Sequence, residues 1–179
     1  MPKRVKHPIK PESLYQKGES FHFTAHYLNQ QPMEVLGPAG FAFVTCMAFA
    51  CEVYLKVLAF IETGRQPLET HHLWFLFEEL PPEMREAIDR EWTTKCLEGL
   101  QVRSNHPDIP AELKRSPQSF RQAMEQSSRA FVDWRYGDSD GKVMAFHMIG
   151  LAPILRAMIL ERKPEWRKSM KRKAAYPAT

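Results

Sequence analysis

The segment from Phe41 to Ile61 is apolar except for Thr45, Glu52 and Lys56. A helix with one wet side carries a polar stripe; this segment has none, so the helix it predicts has to be wrapped by other elements nearly all round. Glu52 and Lys56 stand four apart on one helical face, in the order that lets them pair. Two charges in hydrocarbon are costly, so the pair favours the core of a water-soluble protein over a membrane span. Thr63-Gly64 supplies a C-terminal stop. After a short link with Pro67, Thr70 is the expected cap of a second helix, His71 to Leu80.

The chain has 179 residues, enough for one domain with a sizeable core. Apolar residues recur at helical spacing, and alternating Val/Ile/Thr runs are missing. The three cysteines, Cys46, Cys51 and Cys96, form no CxxC pair and read as reduced thiols of a cytoplasmic protein. The basic N-terminal stretch leads into no apolar signal core, so secretion is not expected. The net charge of +4 is unevenly spread: residues 1–11 carry +4, residues 161–179 carry +5, and the body between them carries −5. Basic ends of this kind either grip phosphate through counterion release or serve as solvated tails.

Residues 1–11 read as a basic flexible arm and residues 163–179 as a basic tail, with the bundle over 12–162. A first helix is expected from Glu12 to Gln31, with Leu14, Phe21, Ala25 and Leu28 on one stripe and Gly18 weakening it locally. Pro32 to Gly40 reads as a Gly/Pro-rich link across the end of the bundle. Pro81-Pro82 ends the third helix and opens a fourth, with Met84, Ile88, Trp92, Cys96 and Leu100 inward. Ser116-Pro117 is the expected start of a fifth helix reaching Tyr136. A last apolar helix spans Lys142 to Arg162, kinked at Pro153. The fold class is all-α: an antiparallel bundle of five or six helices, with the two most apolar ones central.

Several of these elements, in this order, match a family pattern. The matching residues are Phe21 and Ala25, then Ala50-Cys51-Glu52-Val53-Tyr54-Leu55-Lys56, then Gly64, then Thr70-His71-x-Leu73, then Trp134-Arg135-Tyr136. This arrangement resembles the HEPN superfamily over about residues 12–160. His72 stands where the family usually has an acidic residue, and Trp74 and Phe75 make the short helix unusually aromatic. The resemblance implies a HEPN-like helical bundle, a homodimer, and an RNA-binding or RNA-cleaving role in a bacterial defence or toxin–antitoxin setting. Ribonuclease members carry Arg, four to six residues, then His. Arg65 with His71 or His72 fits that spacing but lies before the third helix, not late in the domain. Arg135 and His147 lie late but have eleven residues between them. The resemblance therefore implies a member without the usual nuclease site.

Each polar constellation has two readings. Glu52 and Lys56 are either a binding site facing a pocket or dimer seam, or a structural ion pair joined by Arg135. Glu19, His22 and His26 share a face of the first helix at a possible metal spacing, but no Cys or further ligand completes a set, so no metal is assigned. His71 and His72 start a helix, where an imidazole caps or hydrogen-bonds. Arg135 and Tyr136 either bind an anion or complement a helix dipole. Trp74, Phe75 and Phe77 either stack bases or fill the core.

Three functions follow. The first is a non-catalytic module that contacts RNA or a protein partner, with Arg162, Lys163, Arg167, Lys168, Lys171, Arg172 and Lys173 meeting phosphates. The second is a metal-independent ribonuclease using Arg135 and His147, or Arg65 and His71. The third is a purely structural dimer. No cofactor and no membrane are called for by any of them.

Overall fold

The computed structural model describes residues 3–4, 8–104, 119–128, 148 and 150–167. Among them are six helices: α1 (Pro11–Asn29), α2 (Met33–Thr63), α3 (Leu73–Glu78), α4 (Pro82–Ser104), α5 (Phe120–Ser127) and α6 (Leu151–Arg162). The described residues contain no strand, only an isolated antiparallel bridge between Arg4 and Leu68. The fold is an all-α helical bundle.

The apolar segment makes α2 the axis of the bundle. From Phe43 to Ala59 no residue is exposed, and α1, α3 and α6 all pack on it. By length and composition Gly37–Thr63 could cross a membrane, yet 67% of its most apolar window is buried against neighbouring helices. Gly64 ends α2 at φ 66°, and its N–H donates to the Phe60 carbonyl at 2.9 Å. A left-handed conformation there suits glycine because it lacks a Cβ.

The Gly/Pro-rich link expected over Pro32 to Gly40 is instead helix, with only Pro32 outside it as the N-cap. Pro38 has no N–H to offer the preceding turn, so one rung of the ladder is lost. Gly37 before it has no Cβ to meet the proline ring, which removes the usual obstacle to a helical residue in that position. At 1.5 Å per residue α2 is about 46 Å long against about 28 Å for α1. The two helices are paired through Phe21 on Phe49, an edge-on contact of 4.4 Å between ring centres. In the first turns of α2, none of the described side chains between Glu34 and Ala42 is buried.

Caps also sit elsewhere than expected. Thr70 does not cap α3. Its hydroxyl accepts the His72 N–H at 3.1 Å, and α3 begins only at Leu73. The first N–H groups of α3 go to Ser128: Leu73 donates to its carbonyl and Trp74 to its hydroxyl, both at 3.1 Å. A distant serine thus satisfies donors that local capping leaves open. The cap of α5 is Ser119, whose hydroxyl accepts the Gln122 N–H at 3.1 Å; the expected start at Ser116-Pro117 and the expected end at Tyr136 lie outside the described residues. Of the last helix expected from Lys142, residues 142–147 and 149 lie outside the described residues, and the described part places Pro153 near a helix start. Pro153 is the third residue of α6, within the first turn, where a helix has no acceptor for its N–H.

Aromatic rings tie the smaller helices together. Phe120 on α5 packs between Phe77 on α3 and Trp92 on α4, at 5.1 and 5.4 Å between ring centres. Phe77 is therefore core, as is Leu73, whereas Trp74 is half-buried under the Arg121 guanidinium at 5.1 Å. The described part of the N-terminal arm is held in place: Arg4 donates to the Gln66 carbonyl at 2.8 Å and to Glu79 at 2.6 Å.

Candidate functional site

Two buried carboxylates organise the polar chemistry of the bundle. Glu52, on the buried face of α2, is 1% exposed. It accepts from Lys56 Nζ at 2.7 Å and from His71 Nδ1 at 2.9 Å. The i, i+4 spacing fixes the Lys56 contact. The chain reversal through Gly64 brings His71 back over the same carboxylate. A buried charge is tolerated when it is paired and its lone pairs are filled, and both conditions hold here. The structure thus joins three sequence-derived candidates, Glu52, Lys56 and His71, in one cluster. Arg65 is exposed in the turn after Gly64, where its backbone N–H donates to the Thr63 hydroxyl at 3.2 Å. Arg135, Tyr136 and His147 lie outside the described residues.

The second carboxylate is Glu19 on α1, 5% exposed. Arg156 of α6 grips it with both arms of its fork, Nε at 2.7 Å and Nη2 at 2.9 Å. Such a bidentate pair fixes direction as well as distance. The Tyr54 hydroxyl of α2 donates to the same carboxylate, and His22 Nδ1 lies 3.3 Å from that hydroxyl. Three helices therefore meet in one relay: Arg156, Glu19, Tyr54, His22. Burial, reinforced by the Glu19 charge, pushes the Tyr54 phenol well above its ordinary value. Tyr15, packed between Tyr54 and Trp166, is raised for the same reasons. His22 is shifted down, chiefly by burial; the Glu19 charge opposes that shift, and Arg156 and His26 add to it.

Three members of the relay, Glu19, His22 and Arg156, line a groove of about 770 Å³ between α1 and α6. Glu19, His22 and His26 line it from α1, Arg156 and Leu160 from α6, and Arg167 from just beyond α6. Phe23 stands on its α1 rim at 69% exposure, and Tyr27, one turn on, is 56% exposed. The face bearing Glu19, His22 and His26 is thus a groove wall whose carboxylate is already taken by an arginine. Among the described residues no group of three or more potential ligands could hold a metal ion.

The basic C-terminal run divides. Arg162 donates to Glu62 and, at 3.1 Å, to the Met158 carbonyl. Lys163 is the C-terminal cap residue of α6, and Arg167 reaches the groove. Lys168, Lys171, Arg172 and Lys173 lie outside the described residues. Arg156 and Tyr54 were not singled out from sequence as site residues. One signal was available for Arg156: it is the lone charge between Leu151 and Leu160. A cation so placed in an apolar helix requires an acidic partner from another element.

Comparison with family models, with characterised proteins and with solved structures finds no match to this chain.

Proposed function

We propose that this protein is a non-catalytic RNA-binding module that takes a single strand along the α1/α6 groove. One observation carries the reading: Phe23 and the two groove histidines line the same groove as Arg167, where the basic run of the chain leaves the bundle. Exposed aromatic faces that stack bases, beside cations that track phosphates, are what sequence-tolerant single-strand binding requires. Arg167 leads directly into Lys168, Lys171, Arg172 and Lys173. Counterion release along that run supplies affinity without base recognition.

A non-catalytic role fits the state of the buried ionisable groups. Glu19 is occupied by Arg156 and Tyr54, and Glu52 by Lys56 and His71. The ordered motifs that resemble the HEPN superfamily support the same class, with a homodimer as the expected assembly and bacterial defence or toxin–antitoxin function as the expected setting. We read α2 as the core helix of a cytoplasmic protein.

Fluorescence anisotropy with a short labelled single-stranded RNA, titrated across salt concentration, tests the reading. The intact chain binds with a steep salt dependence. Deleting residues 168–179 removes four cations and flattens the slope of log affinity against log salt by up to about 3. Phe23→Ala weakens binding roughly tenfold while leaving the slope unchanged. Absent binding, or binding indifferent to salt, rejects the proposal.

A further inference from the structure

We infer that the groove distinguishes ribose from deoxyribose through His22, whose Nε2 is held as a hydrogen-bond acceptor for a 2′-hydroxyl. This rests on the RNA-binding reading above and adds to it a means of selection.

The inference follows from counting protons along the relay. A carboxylate held by an arginine fork can only accept, so the Tyr54 hydroxyl spends its one proton on Glu19. The phenol oxygen is then an acceptor toward His22, and the contact at 3.3 Å is a hydrogen bond only when Nδ1 carries the proton. The hydrogen-bond network thereby assigns the tautomer: Nδ1–H points at the core and Nε2 keeps its lone pair. His22 lines the groove, so the lone pair belongs to the groove surface.

An acceptor here is selective. Phosphate oxygens have no proton to give it, whereas a ribose 2′-hydroxyl does, and that hydroxyl is what separates RNA from DNA at a given site. Arg167, which lines the same groove, supplies the cation for a neighbouring phosphate. Among the described residues, the charged and titratable groups around His22 are Glu19 and His26 from α1, Tyr54 from α2, Arg156 from α6, and Arg167. Burial outweighs the Glu19 charge and keeps the imidazole neutral near pH 7, which preserves the lone pair.

The test compares a short single-stranded RNA with its 2′-deoxy and 2′-O-methyl counterparts, using the full chain. RNA binds about five- to tenfold more tightly than either analogue at pH 7.5, the worth of one hydrogen bond to a partly buried acceptor. His22→Phe brings the three affinities together, read as the RNA-to-deoxy and RNA-to-2′-O-methyl ratios within that variant. Tyr54→Phe releases the tautomer and lowers the ratio; circular dichroism and the retained deoxy-strand affinity confirm that this variant is folded. Acidification protonates Nε2, turns it into a donor and erases the preference, and His22→Phe shows no such pH dependence. Equal binding of all three strands by the unaltered chain overturns this inference and leaves the RNA-binding proposal standing. Absence of binding to every strand overturns that proposal and this inference with it.

Discussion

Gly18 lies against the ring of Tyr54: a Cβ built at Gly18 falls 2.7 Å from Tyr54 Cε1 and 3.1 Å from Val53 Cγ1. The ring has nowhere to retreat. It is fully buried, it packs on Tyr15, and its hydroxyl is committed to Glu19. Two effects oppose each other in Gly18→Ala. Helix propensity favours alanine by about 1 kcal/mol, and overpacking a closed contact costs about 1–3 kcal/mol. Because the added methyl would meet a buried ring and a Val53 methyl at less than ordinary contact distance, overpacking wins. The expected outcome in urea denaturation is a loss of about 1 kcal/mol, enlarged in Gly18→Val. An unchanged or raised midpoint for Gly18→Ala would show that the two helices are further apart than this.

The Glu52 cluster gives an ordered set of variants. Lys56→Met removes the closest cation from a carboxylate that is 1% exposed, leaving the His71 Nδ1 hydrogen bond as its remaining contact from this cluster. Breaking a buried pair by one partner costs about 3–5 kcal/mol when nothing replaces it. His71 stays and the Lys56 side chain reaches partly to the surface, so about 2 kcal/mol is expected. Glu52→Gln keeps the shape and can still accept from Lys56, so it costs less. The double variant Glu52→Leu with Lys56→Met removes both charges and recovers most of the loss. Thermal or urea midpoints for the four proteins check the order, and a double variant worse than Lys56→Met alone would contradict it.

How far the sequence reached depended on the range of the interaction. The Glu52–Lys56 pair was legible because both residues lie one turn apart on a single helix. The pairing of Glu19 with Arg156 spans 137 positions, and no local pattern names a partner across that distance. The core of α2 was legible because only Thr45, Glu52 and Lys56 interrupt its apolar run and they form no polar stripe. Its first turns were not, because Gly37, Pro38 and Gly40 each signal a break when read alone. The combination of glycine before proline is what makes the helix tolerable there. Pro153 shows the same limit from the other side. A proline kinks a helix or opens it according to where the helix begins, and a proline by itself does not say where that is. Gly18 read as a weak point in α1 and is also where the Tyr54 ring and Val53 of α2 pack against the α1 backbone.

The three thiols differ in their surroundings. Cys51 is fully buried, and burial raises its thiol far above the ordinary value. It also points at the Met148 carbonyl, 3.9 Å away. Cys46 and Cys96 are half-buried, and burial raises Cys46 as well. The thiolate is the reactive form, so Cys51 should resist alkylation until the bundle opens. Mass spectrometry after iodoacetamide treatment of the native protein is expected to show Cys51 unmodified while the other two react slowly. In denaturant all three react. Labelling of Cys51 at the rate of Cys46 under native conditions would place it at the surface.

The same burial that keeps His22 neutral makes the fold sensitive to acid. Its folded value lies below the ordinary 6.5 that it takes in the unfolded chain. As pH falls through 6.5 the unfolded state binds a proton before the folded state does, so stability drops. The loss continues until the folded value is passed and then levels off. Above 6.5 both states are neutral and His22 contributes no slope. Urea midpoints measured from pH 8 to pH 5 should therefore be flat for this residue at the alkaline end and decline toward the acid end. His22→Phe has no proton to take up, and its decline over the same interval should be shallower than that of the unaltered chain. Glu19 and Arg156 are present in both proteins, so the difference between the two curves isolates the imidazole. Coincident curves, or a variant that loses more stability on acidification, would mean that the His22 ring is open to water and that the relay from Arg156 does not reach it.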